Sequence, residues 1–108
     1  MRVAVASSDG RVIDRHFGRA DTFYIYDIAD HDVKFAEKRS GKPPCGGGFH
    51  YVDDMDAAIE RISDCEMVIA VRIGGGAAEE LRKHQIIPVN RQGDILDVLD
   101  ELAESTEP

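Results

Sequence analysis

An α/β fold built on a mixed five-stranded sheet is predicted by three features of this 108-residue chain. The first is an apolar opening segment, Val3-Ala4-Val5-Ala6. The second is an aromatic and β-branched run, Thr22 to Ile28, with a polar turn and a returning strand behind it. The third is a later alternation of helical and strand-like spacing. Residues 2–7 read as a buried strand because Val and Ala run without a polar break. Residues 22–28 (Thr-Phe-Tyr-Ile-Tyr-Asp-Ile) form the next strand, Ala29-Asp30-His31-Asp32 a turn, and Val33 to Arg39 the third strand of a hairpin. Ser40 to Tyr51 reads as irregular, since Pro43-Pro44 cannot continue a sheet and Gly46-Gly47-Gly48 imposes no structure. Asp53 or Asp54 caps a helix whose apolar positions are Met55, Ala58, Ile59 and Ile62. Met67 to Ile73 is a buried-type strand, and Ala77 to His84 a helix with Ala77, Ala78 and Leu81 inward. Ile86-Ile87-Pro88-Val89 is a short strand whose proline marks an edge or an end. Asp94 caps the last helix through Ile95, Val98, Leu99 and Leu102. The expected order is β-β-β-α-β-α-β-α, with strands 1–3 antiparallel and helices on the sheet faces. One domain spans residues 1–103, and 104–108 form a frayed tail.

Composition bounds the function. Hydrophobic residues at 43% and charged residues at 31% are ordinary for a soluble globular chain. No apolar run approaches the ~20 residues of a membrane span. Met1-Arg2 opens directly into a strand without a signal-peptide pattern, which points to the cytoplasm. Cys45 and Cys65, twenty positions apart, form no disulfide framework and suit a reducing compartment. The net charge of −8 is unevenly placed: residues 1–44 carry +1 and residues 45–108 carry −9. The acidic second part opposes binding to a nucleic-acid backbone. Arg11, Arg15, Arg19, Lys38, Arg39 and Lys42 lie in the first part, so an anion is expected to bind there.

Two stretches carry chemistry. His16-Phe17-Gly18-Arg19 lies in the connection leading from strand 1 into strand 2. Imidazole can ligate a metal, guanidinium offers a planar fork to an anion, and glycine lets a ligand approach the backbone. On the residues alone the plainer alternative is that Phe17 plugs the core, Gly18 makes a turn, and His16 and Arg19 are solvated. Cys45-Gly46-Gly47-Gly48-Phe49-His50 is the second stretch. A Cys and a His five apart can reach one soft metal or a metal–sulfur cluster, with His16 as a third candidate ligand. A closed zinc site needs four ligands and the chain has no C-x-x-C pair, so an exogenous cluster suits the inventory better. An incidental exposed thiol is the alternative for Cys45, and burial is the default for Cys65.

Strand 1 ends into the His16 loop and strand 4 ends into Gly74-Gly75-Gly76, so both loops can face one crevice at the strand carboxyl ends. The glycines run into a helix whose N–H groups could hold an anion, although Glu79 and Glu80 are expected in its first turn. The stretch lacks both G-x-G-x-x-G and a Walker lysine, which disfavours a nucleotide. The strand order suggests a ribonuclease H-like sheet, but strand 1 carries Ala4 and Ala6 where a nuclease of that fold needs carboxylates. No Ser/His/Asp or Cys/His/Asn pattern names a nucleophile, so the chain reads as a binder rather than an enzyme.

Asp14-Arg15-His16-Phe17-Gly18-Arg19-Ala20-Asp21-x-Phe23, with Val3-Ala4-Val5-Ala6-Ser7 before it, resembles the dinitrogenase iron–molybdenum cofactor biosynthesis family. Val68-Ile69-Ala70, the glycine-rich turn, Leu81 and Ile86-Ile87-Pro88-Val89 follow in that family's order, so the likeness spans nearly the whole chain. The resemblance implies a ribonuclease H-like fold and a carrier of iron–molybdenum cofactor or an iron–sulfur precursor between assembly proteins. The implied site is Phe17, Gly18, Arg19 and the Cys45–His50 loop. Gln85 departs from the family, which commonly has glycine there, and the Cys45–His50 loop is not a fixed family feature. The resulting expectation is a non-catalytic, cytoplasmic carrier or scaffold for an anionic iron–sulfur-type cluster. His16, Cys45 and His50 would be ligands, Arg15, Arg19 and Lys42 would balance charge, and Phe17, Gly18, Gly74 and Gly75 would line the site. The alternative is a metal-free interaction or regulatory module of the same fold, with a thiol-redox role for Cys45 third. Oligomeric state is left open.

Overall fold

A computed structural model describes residues 1–44 and 51–105, with the side chains of 51–53 and 105 outside that description. The main sheet holds β1 (Arg2–Ala6), β3 (Thr22–Ala29), β4 (Asp32–Ser40), β5 (Met67–Ala70) and β6 (Ile87–Asn90), in the order β4-β3-β1-β5-β6. β1 runs antiparallel to β3 and β3 antiparallel to β4, whereas β5 is parallel to both β1 and β6. The mixed five-stranded sheet is therefore as the periodicity predicts, but the second strand along the chain is not part of the meander. That strand, β2 (Val12–Ile13), pairs with β7 (Gly93–Asp94) in a separate two-stranded ribbon. The first three strands are thus not all antiparallel neighbours. Two-residue strands have no period to read, which is why the ribbon is invisible in the sequence.

α1 (Tyr51–Arg61), α2 (Gly75–Lys83) and α3 (Ile95–Ser105) complete the domain. One face of the sheet packs Ala4, Ala6, Phe23, Ile25 and Val68 against Ile59 of α1, Ile62 just after it, and Ala78 and Leu81 of α2. The other packs Val3, Val5, Tyr26 and Ile69 against Ile95, Val98, Leu99 and Ala103 of α3. The alternation along β1 explains this division, because successive side chains leave a strand on opposite faces. Each buried aliphatic side chain contributes about 1.5–3 kcal/mol relative to exposure. Cys65 is buried, and desolvation pushes its thiol up to about 12.

Helix ends differ from expectation in two places. α2 begins at Gly75, because Gly74 is its N-cap and the Gly74 carbonyl accepts the Ala78 N–H at 2.9 Å. Glu79 and Glu80 therefore lie beyond the first turn, which carries no acid. α3 extends through Ser105, so Glu104 and Ser105 are helical rather than frayed, while 106–108 lie outside the described residues. Asp94 does cap α3, its Oδ1 accepting the N–H groups of Leu96 and Asp97 at 3.0 and 3.3 Å.

Candidate functional site

The carboxyl ends of β1, β5 and β6, the start of β3 and the end of β4 lie along one edge of the main sheet, set by their registers. This edge is called the crest. The loop from Ser7 to Asp14 is fixed there by its own short side chains. Buried Ser7 donates to the Val12 carbonyl at 2.6 Å and accepts the Gly10 N–H at 2.9 Å. Asp9 accepts the N–H groups of Arg11 and Val12 at 2.8 and 3.2 Å. These backbone hydrogen bonds hold the Asp9 carboxyl below its usual value. Asp14 accepts the N–H and hydroxyl of Ser8. Gly10 sits at φ +78 with the Tyr24 ring 2.6 Å from where a Cβ would stand, so this turn requires glycine.

The next stretch forms a single 3-10 turn, Phe17–Arg19. Phe17 is fully buried and its ring lies 5.8 Å from that of Phe23. It anchors the loop from below, with its side chain packed in the core. Gly18 is half-buried, while Arg15, His16 and Arg19 are exposed. The Phe17 N–H donates to the Arg72 carbonyl and the Val71 N–H to the Arg15 carbonyl, each at 2.9 Å. Here the strand that sequence continues to Ile73 has ended. Residues 71–72 bond to the His16 loop instead, and the Ile73 N–H donates to Asn90 Oδ1 at 3.0 Å. The two loops expected to converge are joined by backbone hydrogen bonds.

Arg72, Gly74, Gly75 and Gly76 are exposed beside this junction. A Cβ on any of the three glycines would meet nothing within 4 Å, and none has a positive φ. The fold itself therefore does not demand glycine there. Among the described residues no side chain caps the α2 N-terminus, the positive end of the helix, and its first residues are exposed. Lys42 stands on the same edge, just beyond β4, with the Gly41 N–H donating to the Asp21 carbonyl at 2.9 Å.

Charge bookkeeping distinguishes the crest. Asp9 and Asp14 are occupied by loop groups and Asp94 by the start of α3. Among the described residues Arg15, Arg19, Lys42 and Arg72 form no ion pair. Arg72 was not singled out by the sequence reading. Its signal was its place, one residue after the apolar run and two before the glycines. By contrast, Arg82 and Lys83 occupy the last turn of α2, away from the crest.

Among the described residues no group of three His, Cys, Asp or Glu side chains could hold a metal ion. Cys45 and His50 lie outside the described residues, and His16 alone of the three expected ligands is placed. No described helix is long and apolar enough to cross a membrane.

Residues 1–105 match the family described as dinitrogenase iron-molybdenum cofactor. The chain is 35% identical over 89 residues to the FeMo cofactor biosynthesis protein NifB of Herbaspirillum seropedicae, covering 82% of this chain and 17% of that protein. It is 37% identical over 91 residues to NifB of Klebsiella pneumoniae, covering 80% and 19%. With the protein NifX of Rhodobacter capsulatus it shares 28% over 95 residues, covering 85% and 60%. The chain thus spans under a fifth of these NifB proteins. The crystal structure of PH0822 superposes with a TM-score of 0.76 at 27% identity, covering all of this chain and 94% of that one.

Proposed function

This chain belongs to the dinitrogenase iron–molybdenum cofactor family, and from that premise we propose that it is a non-catalytic carrier of an anionic metallocluster in cofactor assembly. The observation that carries this reading is the crest: Arg15, Arg19, Lys42 and Arg72, none paired with a carboxylate among the described residues, beside a helix N-terminus that no described side chain caps. Guanidinium forks and exposed backbone N–H groups hold a bulky anion without covalent chemistry. The three glycines keep side chains away from those N–H groups, a use that fits their absence of conformational need. The cluster is cargo here. His16, with Cys45 and His50 from the segment before α1, would supply its protein ligands, and a soft thiolate with imidazole suits iron–sulfur chemistry. Gly18, Gly74 and Gly75 let the cargo approach the backbone. The strand order, with its second member reversed, supports a ribonuclease H-like label for the sheet. Cofactor-assembly proteins, as donors and acceptors in the cytoplasm, complete the proposal, in keeping with the name of the NifB relatives.

Anaerobic incubation with iron and sulfide, read by visible absorption and metal analysis, tests the reading. Bound iron and a sulfide-to-iron charge-transfer band are expected, lost when Cys45 and His50 are both replaced by alanine. A wild-type protein that stays colourless and metal-free with either iron–sulfur precursor or isolated iron–molybdenum cofactor would leave the metal-free interaction module standing instead.

A further inference from the structure

The two edges of the main sheet are built differently. On β6, the Ile87 and Arg91 N–H groups donate inward, to Glu66 and Ala70, both at 2.9 Å. The outward positions are then Pro88 and Asn90, and proline has no N–H, so this edge is closed to another strand. The opposite edge, β4, is nine residues long, and among the described residues no strand pairs with its outer side. It carries Phe35, 56% exposed, whose ring leans edge-on against Tyr26 at 5.5 Å.

β4 also carries a bulge. Ile25 pairs with Glu37 while Tyr26 pairs with Phe35, which leaves Ala36 as the extra residue. The bulge changes which side chains share a face. Lys34 lies opposite Asp27 and Glu37 opposite Ile25, so both point to the α1 side, although three positions apart. Phe35, Val33 and Lys38, opposite Tyr26, Ile28 and Tyr24, point to the α3 side. In a regular strand Lys34 and Glu37 would face opposite ways.

We propose that β4 pairs antiparallel with β4 of a second copy of this chain, joining two sheets across a two-fold axis between Phe35 and Ala36. Opposite residues in an antiparallel pair must share a face, and this condition selects the register. Pairing Phe35 with Phe35, or Ala36 with Ala36, sets α1-side residues against α3-side residues beyond the bulge. With the axis between Phe35 and Ala36, the unpaired bulge residue Ala36 falls opposite Phe35, and beyond it Lys34 meets Glu37 of the second copy, Val33 meets Lys38, and Asp32 meets Arg39, these three pairs on matching faces. Moving the axis one position along, between Ala36 and Glu37, keeps matching faces but sets Lys34 against Arg39. Charge therefore separates the two remaining registers. In the proposed one the two Phe35 rings lie beside each other across the axis, which covers an exposed aromatic side chain. Lys34 meets Asp32 only at 3.9 Å, and Glu37 accepts from Arg39 through one oxygen. Their side chains stay 77% and 54% exposed, so both can reach across the seam. A single strand seam is smaller than a standard interface, so the dimer is weak and concentration-dependent.

Sedimentation velocity of the wild-type chain over a wide concentration range tests this, with folding of each variant checked by circular dichroism. A reversible monomer–dimer equilibrium is expected. Lys34→Glu sets a carboxylate against Glu37 of the other copy at both symmetric positions, and should raise the dissociation constant by about tenfold or more. The double variant Lys34→Glu/Glu37→Lys restores opposite charges in the same register and should recover most of the affinity. Phe35→Asp should abolish association. A chain that stays monomeric at every concentration overturns the proposal. So does a dimer insensitive to Lys34→Glu and Phe35→Asp, and so does a double variant as weak as the single one.

Discussion

The crest and the cluster around Asp64 treat arginine in opposite ways. At Asp64, which follows α1, every cation is satisfied. Arg2 holds Asp27 through Nε and Nη2 at 2.8 and 3.0 Å and reaches Asp64 at 2.9 Å. Arg39 grips the same Asp64 through Nη1 and Nη2 at 2.6 and 2.9 Å, donates to Glu37, and caps the Arg61 carbonyl at 2.9 Å. These hydrogen bonds, those from Arg39 foremost, hold the Asp64 carboxyl far below its ordinary value, and Arg2 lowers Asp27 likewise. At the crest the cations have no carboxylate partner among the described residues, and the neighbouring acids Asp9 and Asp14 are occupied by backbone and hydroxyl donors. Arginine in the Asp64 cluster ties β1, β3, β4 and the end of α1 together, whereas arginine at the crest makes no such tie among the described residues. Sequence alone gives both groups the same residue type, so only partner geometry separates them.

The largest effect should come from Phe17, the crest's buried anchor. Phe17→Ala is expected to cost about 3–5 kcal/mol, read as a lowered denaturation midpoint. Loss of less than about 1 kcal/mol would mean that the loop does not depend on this plug. In the Asp64 cluster, Arg39→Ala should destabilise by about 1–2 kcal/mol, because several charge-assisted hydrogen bonds go at once while partial exposure screens each. Arg15→Ala, Arg19→Ala and Arg72→Ala should each stay within about 0.5 kcal/mol of wild type. Equal destabilisation by Arg39→Ala and Arg19→Ala would erase the contrast between the two regions.

Acid should act on the Asp64 cluster. Asp64 and Asp27 have folded values below the unfolded ones, so their contribution is in place above the ordinary carboxylate value. It is lost as pH falls through the depressed folded values. Denaturant melts from about pH 6 to about pH 3 should show falling stability, with a smaller fall in Asp64→Asn. An identical fall in that variant would place the acid sensitivity elsewhere. A modest effect of the opposite sign concerns Gln85, which has φ +63 at the end of α2. The Ile86 N–H donates to Leu81 and the Gln85 N–H to Arg82, both at 2.9 Å, completing the glycine-type helix stop without a glycine. Gln85→Gly should stabilise by about 0.5–1 kcal/mol in the same melts.

The core elements were legible because burial imposes a period. Val3 to Ala6, Ile59 and Ile62, and Leu99 lie where alternation or helical spacing places them. Two things were not legible. The β2–β7 ribbon is too short to carry a pattern. The start of α2 was read two residues late because Gly75 and Gly76 are poor helix formers, and tertiary position overrode propensity. For the proposed site, residue type and loop position single out Arg15, His16, Arg19 and Lys42, and topology anticipates the junction of the two loops. Phe17 carries both a core and a site reading, and its side chain lies in the core. Arg72 was missed because a lone arginine after a strand looks like any solvated charge.

If the crest, and not the Asp64 cluster, receives an anionic ligand, the difference is visible residue by residue. Amide NMR of the isotopically labelled chain during titration with a polyoxotungstate anion reads it out. Saturable shifts are expected at Gly18, Arg19, Arg72 and Gly74 to Gly76, with Arg2, Asp64 and the end of α2 unmoved, and weaker binding in Arg19→Glu than in Arg82→Glu. Shifts centred on the Asp64 cluster or on the end of α2, or equal weakening by the two charge reversals, would contradict it.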